Sequence, residues 1–353
     1  MLIRHLNTFS LDLKFSVGIW YFTPGGGRFH DRYVSEANVA RRIGMAAGLA
    51  EYGVTGIEAH YPAEVNSENF HLYRRLEKET GIRLVAIPFS HFFEKDFEFG
   101  CLSNPNPAVR RKALKIAVEG LKLVKTAGAN CAISWPGIDG YLYSLGTIFP
   151  YMWDWFEGGM AEAMDEVPGV RVAIEPKPYE PAPNNIYRTT AEGILAAQRI
   201  ERRLKNPENR ELLKAGHALV GLNPEVGHVR MGYEDCAAAF SLVGHEGRLA
   251  HTHWNSQPLG NYDQDLNVGV VEWSQAEALL FALKVMGYKE YFGIDINPER
   301  MPVEKAVEIN TTVLRIMNER INSLPNERIV ECYLHPEKHR GEMELILAGM
   351  MRR

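Results

Sequence analysis

The chain has 353 residues, of which 46% are hydrophobic and 24% charged, with 39 Lys and Arg set against 44 Asp and Glu for a formal charge of −5. Those are ordinary globular values, and they exclude a disordered, collagen-like or coiled-coil chain. A mildly acidic chain without a basic stripe also lacks what a nucleic-acid partner needs, because phosphate contacts require clustered Lys and Arg.

Short apolar, β-rich runs alternate with longer segments of helical period. Phe15–Trp20 comes first, followed by a helical pattern over 35–52. Val54–His60 precedes 66–80, Arg83–Phe89 precedes 107–128, and Cys131–Trp135 precedes 151–166. Val170–Lys177 leads into 189–205, Ala218–Glu225 into 232–244, Arg248–Trp254 into 273–287, and Tyr291–Asn297 into 302–322. Asn106-Pro107 and Thr189 mark helix starts, and Gly81, Gly128 and Gly287 mark helix ends. Eight unbroken alternations predict an α/β TIM (β/α)8 barrel over residues 1–322. Residues 323–353 read as a short C-terminal tail closing on a helix, Glu342–Arg353.

Two features narrow the surroundings. Cys101, Cys131, Cys236 and Cys332 lie far apart with no CxxC, which fits neither a zinc finger nor a disulfide scaffold. The first fifteen residues lack the apolar core of a signal peptide, and no stretch of 18 apolar residues occurs, so the expectation is a cytoplasmic protein with no membrane partner. The cluster Gly25-Gly26-Gly27 lacks GxGxxG spacing and reads as a loop rather than a phosphate cradle.

A barrel presents its reacting groups at the carboxyl ends of its strands. Here those ends are polar: Glu175 and Lys177, Glu225 and His228, His251 and His253, and Asp295, with Asp263 and Asp265 just beyond the seventh run. Seven of these are the expected metal ligands: Glu175, Glu225, His228, His253, Asp263, Asp265 and Asp295. Five carboxylates at one mouth repel one another unless cations neutralise them. Oxygen-rich ligands with one or two imidazoles suit Mg²⁺, Mn²⁺ or Co²⁺, and two divalent cations are the economical reading. On an extended loop Asp263 and Asp265 would point to the same side and share an ion. Of His251 and His253, which share a strand face, His253 is the expected ligand. Lys177 would polarise a substrate carbonyl. Trp20, Phe92 and Trp135 supply apolar walls that exclude water.

The segments Ile174–Pro178 (IEPKP), Asn223–His228 (NPEVGH) and Tyr262–Leu266 (YDQDL), in this order and each at or just beyond an expected strand end, resemble the D-xylose isomerase family of TIM-barrel sugar isomerases. The resemblance runs from about Phe15 to Arg300. It implies that Glu175 and Asp295 hold a first metal, that Glu225 bridges two, and that His228, Asp263 and Asp265 complete the second. It also implies that Lys177 contacts substrate oxygens and that Trp20 and Trp135 line the pocket. His253 stands ten residues before Asp263, where the xylose enzymes carry an aspartate; a histidine there looks more like L-rhamnose isomerases and ketose 3-epimerases. His60 is the candidate for sugar-ring opening. The family's aspartate three residues on is Ala63 here, with Glu64 one later. The activity implied is metal-dependent aldose–ketose isomerisation of a small sugar, with Glu175 and Asp263 among the catalytic groups. The alternatives are ketose 3-epimerisation, or a lyase or deglycosidase on the same barrel. The Thr23–Tyr33 loop, with Phe29, resembles the segment that reaches a neighbour's site, which implies a homodimer or homotetramer.

Overall fold

The computed structural model describes residues 1–22, 35–298 and 301–350. Eight parallel strands form the sheet: β1 Phe15–Gly18, β2 Val54–Glu58, β3 Arg83–Pro88, β4 Cys131–Ser134, β5 Val172–Ile174, β6 Val220–Leu222, β7 His253–Trp254 and β8 Phe292–Ile294. Their order is β6-β5-β4-β3-β2-β1-β8-β7. The remaining seam, between β6 and β7, is joined by parallel bridges Leu222–Leu249 and Glu225–His253. There the Leu222 N–H donates to the Arg248 carbonyl at 2.7 Å, and the Ala250 N–H to the Leu222 carbonyl at 2.9 Å. The sheet therefore closes on itself as the eight-stranded TIM barrel expected from the alternation.

The ladders are shorter than the apolar runs because each chain leaves the sheet as it turns toward the next helix. Ile19–Phe22, for example, winds into a 3₁₀ turn directly after β1. Where start and stop chemistry is explicit, the helices follow it. Asn106 caps Pro107–Ala127, accepting from the Ala108 N–H, and Gly128 ends that helix at φ +69°. Thr189 and Glu192 form a reciprocal capping box on Thr190–Arg203.

Several helices fall outside the periodic reading. Leu2–Thr8 precedes the barrel, Pro207–Lys214 starts on an Asn206-Pro207 signal, and Val226–Met231 follows β6. In the tail, Asn326–Leu334 precedes Glu342–Met350. The Asn326 side chain donates to the Leu6 carbonyl at 3.3 Å and to Asn7 Oδ1 at 2.9 Å, so the tail is tied to the N-terminal helix.

The main apolar core lies between the strands and the helical ring. Phe15, Phe292 and Trp254 on the strands, with Phe156 and Phe240 from the helices, are almost wholly withdrawn from water. Each such side chain contributes about 2–3 kcal/mol of transfer free energy. That scaffold holds the strand ends, and the polar residues on them, at fixed spacings.

Candidate metal centre at the barrel mouth

β5 ends at Ile174, and the Glu175 N–H still donates to the Ser134 carbonyl at 3.0 Å, so Glu175 leaves the sheet in register. Pro176 and Pro178 disfavour helical backbone at the residues before them, Glu175 and Lys177. One strand over, the Asn223 N–H bonds the Ile174 carbonyl at 2.8 Å, while its side-chain amide donates to Glu175 Oε2 at 2.7 Å. Glu225 occupies the N-cap position of Val226–Met231, which carries His228 back beneath it one turn later. A Cβ on Gly227 would lie 2.9 Å from Glu225 Oε1 and 3.0 Å from Asn255 Oδ1, so a side chain there would displace both groups. The Glu225–His253 bridge then sets the ends of β6 and β7 side by side.

Two groups of ligand atoms result. In the first, Glu175, Glu225, His253 and Asp295 place one atom each within 4.8 Å of the others. His253 Nδ1 lies 3.2 Å from Glu175 Oε2, 3.2 Å from Asp295 Oδ2 and 3.8 Å from Glu225 Oε2. The second comprises Glu225, His228 and Asp263. His228 Nε2 is 3.1 Å from Asp263 Oδ2 and 3.4 Å from Glu225 Oε1. Glu225 thus turns Oε2 toward one group and Oε1 toward the other.

Asp265 stands outside both groups. Its backbone is left-handed, φ +45°, so the loop is not extended through it and the alternation expected to align it with Asp263 is broken. Its Oδ1 accepts from the Asn255 amide at 2.9 Å, and the same amide donates to Glu225 Oε1 at 2.8 Å. Asp265 is connected to the centre through Asn255.

Within these groups His253 Nδ1 and Asp263 Oδ1 are buried and make no directed hydrogen bond, and neither does His228 Nδ1. Buried polar atoms without partners are rare, and these border sets of oxygen and imidazole donors. The donor chemistry fits an oxygen-preferring divalent cation.

Protonation in the metal-free protein has the matching pattern. Burial pushes Glu225 up to about 7, helped by Asp263 and Asp295 and opposed by His228 and His253. Burial, with Asp263 and Glu225 beside it, also holds Asp265 well above the usual carboxylate range. Burial disfavours the cationic form of His253, but Glu58 and Glu175 outweigh it and its pKa is well raised. For Asp263 burial is overcome by His228 and Lys177, which hold it low. Protons here do part of what a cation would do, and metal binding must displace them.

The other candidate residues ring this centre. Lys177 Nζ is 2.7 Å from Asp263 Oδ2 and 3.5 Å from Glu180 Oε2, and it sits 5.2 Å over the Trp135 ring. The Trp20 indole N–H donates to Asp295 Oδ1 at 3.0 Å, and its ring meets His60 edge-on at 4.6 Å. Phe92 packs edge-on against both His60, at 5.2 Å, and Trp135, at 5.4 Å. His60 Nδ1 is 2.8 Å from Glu64 Oε2, which also accepts from the His60 backbone N–H, and Arg42 pairs with Glu64 Oε1 at 3.1 Å. The carboxylate partner of His60 is therefore Glu64. Phe29 and Gly25-Gly26-Gly27 lie outside the described residues.

One group escaped sequence reasoning. Glu58, 1% exposed, accepts from the Ser16 hydroxyl at 2.7 Å and is 2.9 Å from His251 Nε2 and 3.0 Å from His253 Nε2. His251 and His253 hold its pKa well below the carboxylate range against the opposing effect of burial. The available signal was a lone glutamate inside the apolar run VTGIEAH. His251 is directed at Glu58, and among the two strand-seven histidines only His253 meets Glu175, Glu225 and Asp295.

The model of the xylose isomerase-like TIM barrel family matches residues 46–316. This chain belongs to that family. The xylose isomerases of Thermus thermophilus and Thermus caldophilus are each 28% identical to it over 271 residues, 73% of this chain and 66% of theirs. The chain thus spans just under two thirds of the length of these curated relatives.

Solved structures share the family fold at lower identity. An L-ribulose 3-epimerase superposes with a TM-score of 0.64 at 14% identity, covering 91% of this chain and 98% of that one. A D-psicose 3-epimerase, solved in the presence of D-fructose, gives 0.62 at 15% identity over 88% of this chain and 100% of that one. For 3-keto-D-glucoside 4-epimerase from E. coli the score is 0.59 at 13% identity, over 87% and 100%. At such identities the likeness is one of fold.

Proposed function

We propose that this member of the family is a metal-dependent aldose–ketose isomerase acting on a small free sugar, with two divalent cations. The observation that carries the reading is the pair of ligand groups sharing Glu225, with Lys177 at 2.7 Å from a member of the second. Glu175, Glu225, His253 and Asp295 would hold the first ion, and Glu225, His228 and Asp263 the second. Bound cations supply Lewis-acid polarisation of carbonyl and hydroxyl oxygens and lower the pKa of coordinated water.

The chain's own residues do the rest. His60, oriented by Glu64, moves the proton at the anomeric oxygen as the ring opens. Lys177 donates to substrate oxygens as charge develops on them. Trp20, Phe92 and Trp135 keep water from the reacting carbons. In the isomerisation the C2 hydrogen passes as hydride to C1, the O2 hydroxyl gives up its proton, and O1 takes one up. The carbonyl thereby moves from C1 to C2.

A second reading is epimerisation of a ketose at C3 through an enediol, with one metal. The position of Asp265 outside the second group favours it, because among the described residues that group then offers three side chains. The two readings part in deuterated water. The Mn²⁺ and Co²⁺ forms are assayed there against free pentoses, hexoses and deoxyhexoses. Hydride transfer leaves the product free of solvent deuterium, whereas C3 epimerisation introduces it at C3. Tight metal binding without turnover of any sugar in the panel would refute both.

A further inference from the structure

Resting on the metal reading of the first group, we infer that Glu58, buried beneath the mouth, is the positioning residue that presents His253 Nδ1 to the ion. Both carboxylate oxygens of Glu58 face side chains that can donate to them. Glu58 Oε1 takes the Ser16 hydroxyl at 2.7 Å and faces His251 Nε2 at 2.9 Å. That leaves Oε2 for His253 Nε2 at 3.0 Å. His253 Nδ1, on the far side of the ring from Glu58, faces Glu175 and Asp295 at 3.2 Å each, so when it gives up its proton to an ion the remaining proton would sit on Nε2, against Glu58.

That is the arrangement by which carboxylates fix the tautomer and ring orientation of metal-bound histidines. His253 Nδ1 makes no directed hydrogen bond although three carboxylates surround it, as expected of an atom reserved for a cation.

The barrel gives up packing volume to house this network. Ser16 on β1 is in register with Gly293 on β8 and Gly56 on β2. A Cβ on Gly293 would fall 2.7 Å from Glu58 Oε1, 2.8 Å from His251 Nε2 and 2.8 Å from His253 Cδ2. The layer under the metal centre is thus shaped around a polar cluster where a barrel interior otherwise carries branched apolar side chains. His251 meets the His253 ring edge-on, with centroids 5.4 Å apart at 81°, so it braces the ring as well as sharing its carboxylate.

The test titrates Mn²⁺ into wild type, Glu58→Leu and Glu58→Gln, counting free ion by electron paramagnetic resonance. Wild type is expected to take up two ions. In Glu58→Leu one of the two should bind about 10–100-fold more weakly while the other changes less than about threefold, with Glu58→Gln intermediate. Nitrogen-15 NMR of the histidines in Zn²⁺-loaded wild type supplies a readout that needs no variant to fold: the His253 proton should sit on Nε2. A proton on Nδ1, or both affinities unchanged in the variants while wild type binds two ions, overturns the role of Glu58 and leaves the metal reading standing. Wild type that binds no Mn²⁺ overturns the metal reading and this role with it.

Discussion

Glu225 makes the metal-free protein respond to pH in an unusual direction. Its carboxyl titrates near 7 when folded, against 4.5 for the free group, because burial and the neighbouring Asp263 and Asp295 disfavour the anion. Between those values the folded chain holds a proton that the unfolded chain has released, so stability falls as pH rises through this window and levels off above it. Linkage over pH 5.5 to 7.5 gives a loss of about 2 kcal/mol from this one group, which for a chain of 353 residues is a fall in Tm of roughly 2–3 °C. His228 and His253 act in the same sense, since their raised values give stability that is fully present at low pH and fades as pH rises. Added Mn²⁺ should reverse the slope, because the ligands must deprotonate to bind it. The assay is a series of thermal melts across this pH range, in chelator and in Mn²⁺, on wild type and on Glu225→Gln, whose neutral amide cannot titrate. The difference between the two chelator profiles isolates Glu225. A wild-type Tm that is flat or rising in chelator, or a slope unchanged in Glu225→Gln, refutes the reasoning.

Other perturbations separate the remaining roles. Lys177→Met removes the cation at 2.7 Å from Asp263 Oδ2; kcat should fall roughly 100-fold or more while Mn²⁺ uptake persists, as read by steady-state kinetics and metal titration. Glu64→Gln takes the carboxylate from His60 and should lower kcat/KM about 10–100-fold, with a smaller loss for sugars richer in open-chain form. Asp263→Asn combined with His228→Ala dismantles the second group, so metal analysis should find one bound ion in place of two, and turnover by hydride transfer should be lost. If that double variant keeps wild-type turnover, the two-metal mechanism is wrong.

Much of this was legible because barrels translate sequence into position by a simple rule. A side chain at the end of an apolar run lies at the strand's carboxyl end, and all such ends face one opening. Glu175, Lys177, Glu225, His253 and Asp295 could therefore be gathered from the chain alone, and the IEPKP, NPEVGH and YDQDL segments pointed to a family. Local chemistry likewise announced helix boundaries at Asn106, Thr189, Gly128 and Gly287, where caps and φ-tolerant residues act within one turn.

What the chain alone left open depended on contacts between distant segments or on single backbone angles. The partner of His60 turned on whether a turn brings Glu64 back to the imidazole. The separation of Asp265 from Asp263 came from one left-handed residue that no two-residue spacing reveals. Glu58 was invisible as a functional group because it meets Ser16, His251 and His253 at two other strands, 42 to 195 positions away in sequence. Composition and period determine which residues reach the mouth of the barrel. Only the closed sheet decides which atoms face one another there, since hydrogen-bond direction and ångström-scale approach arise from packing.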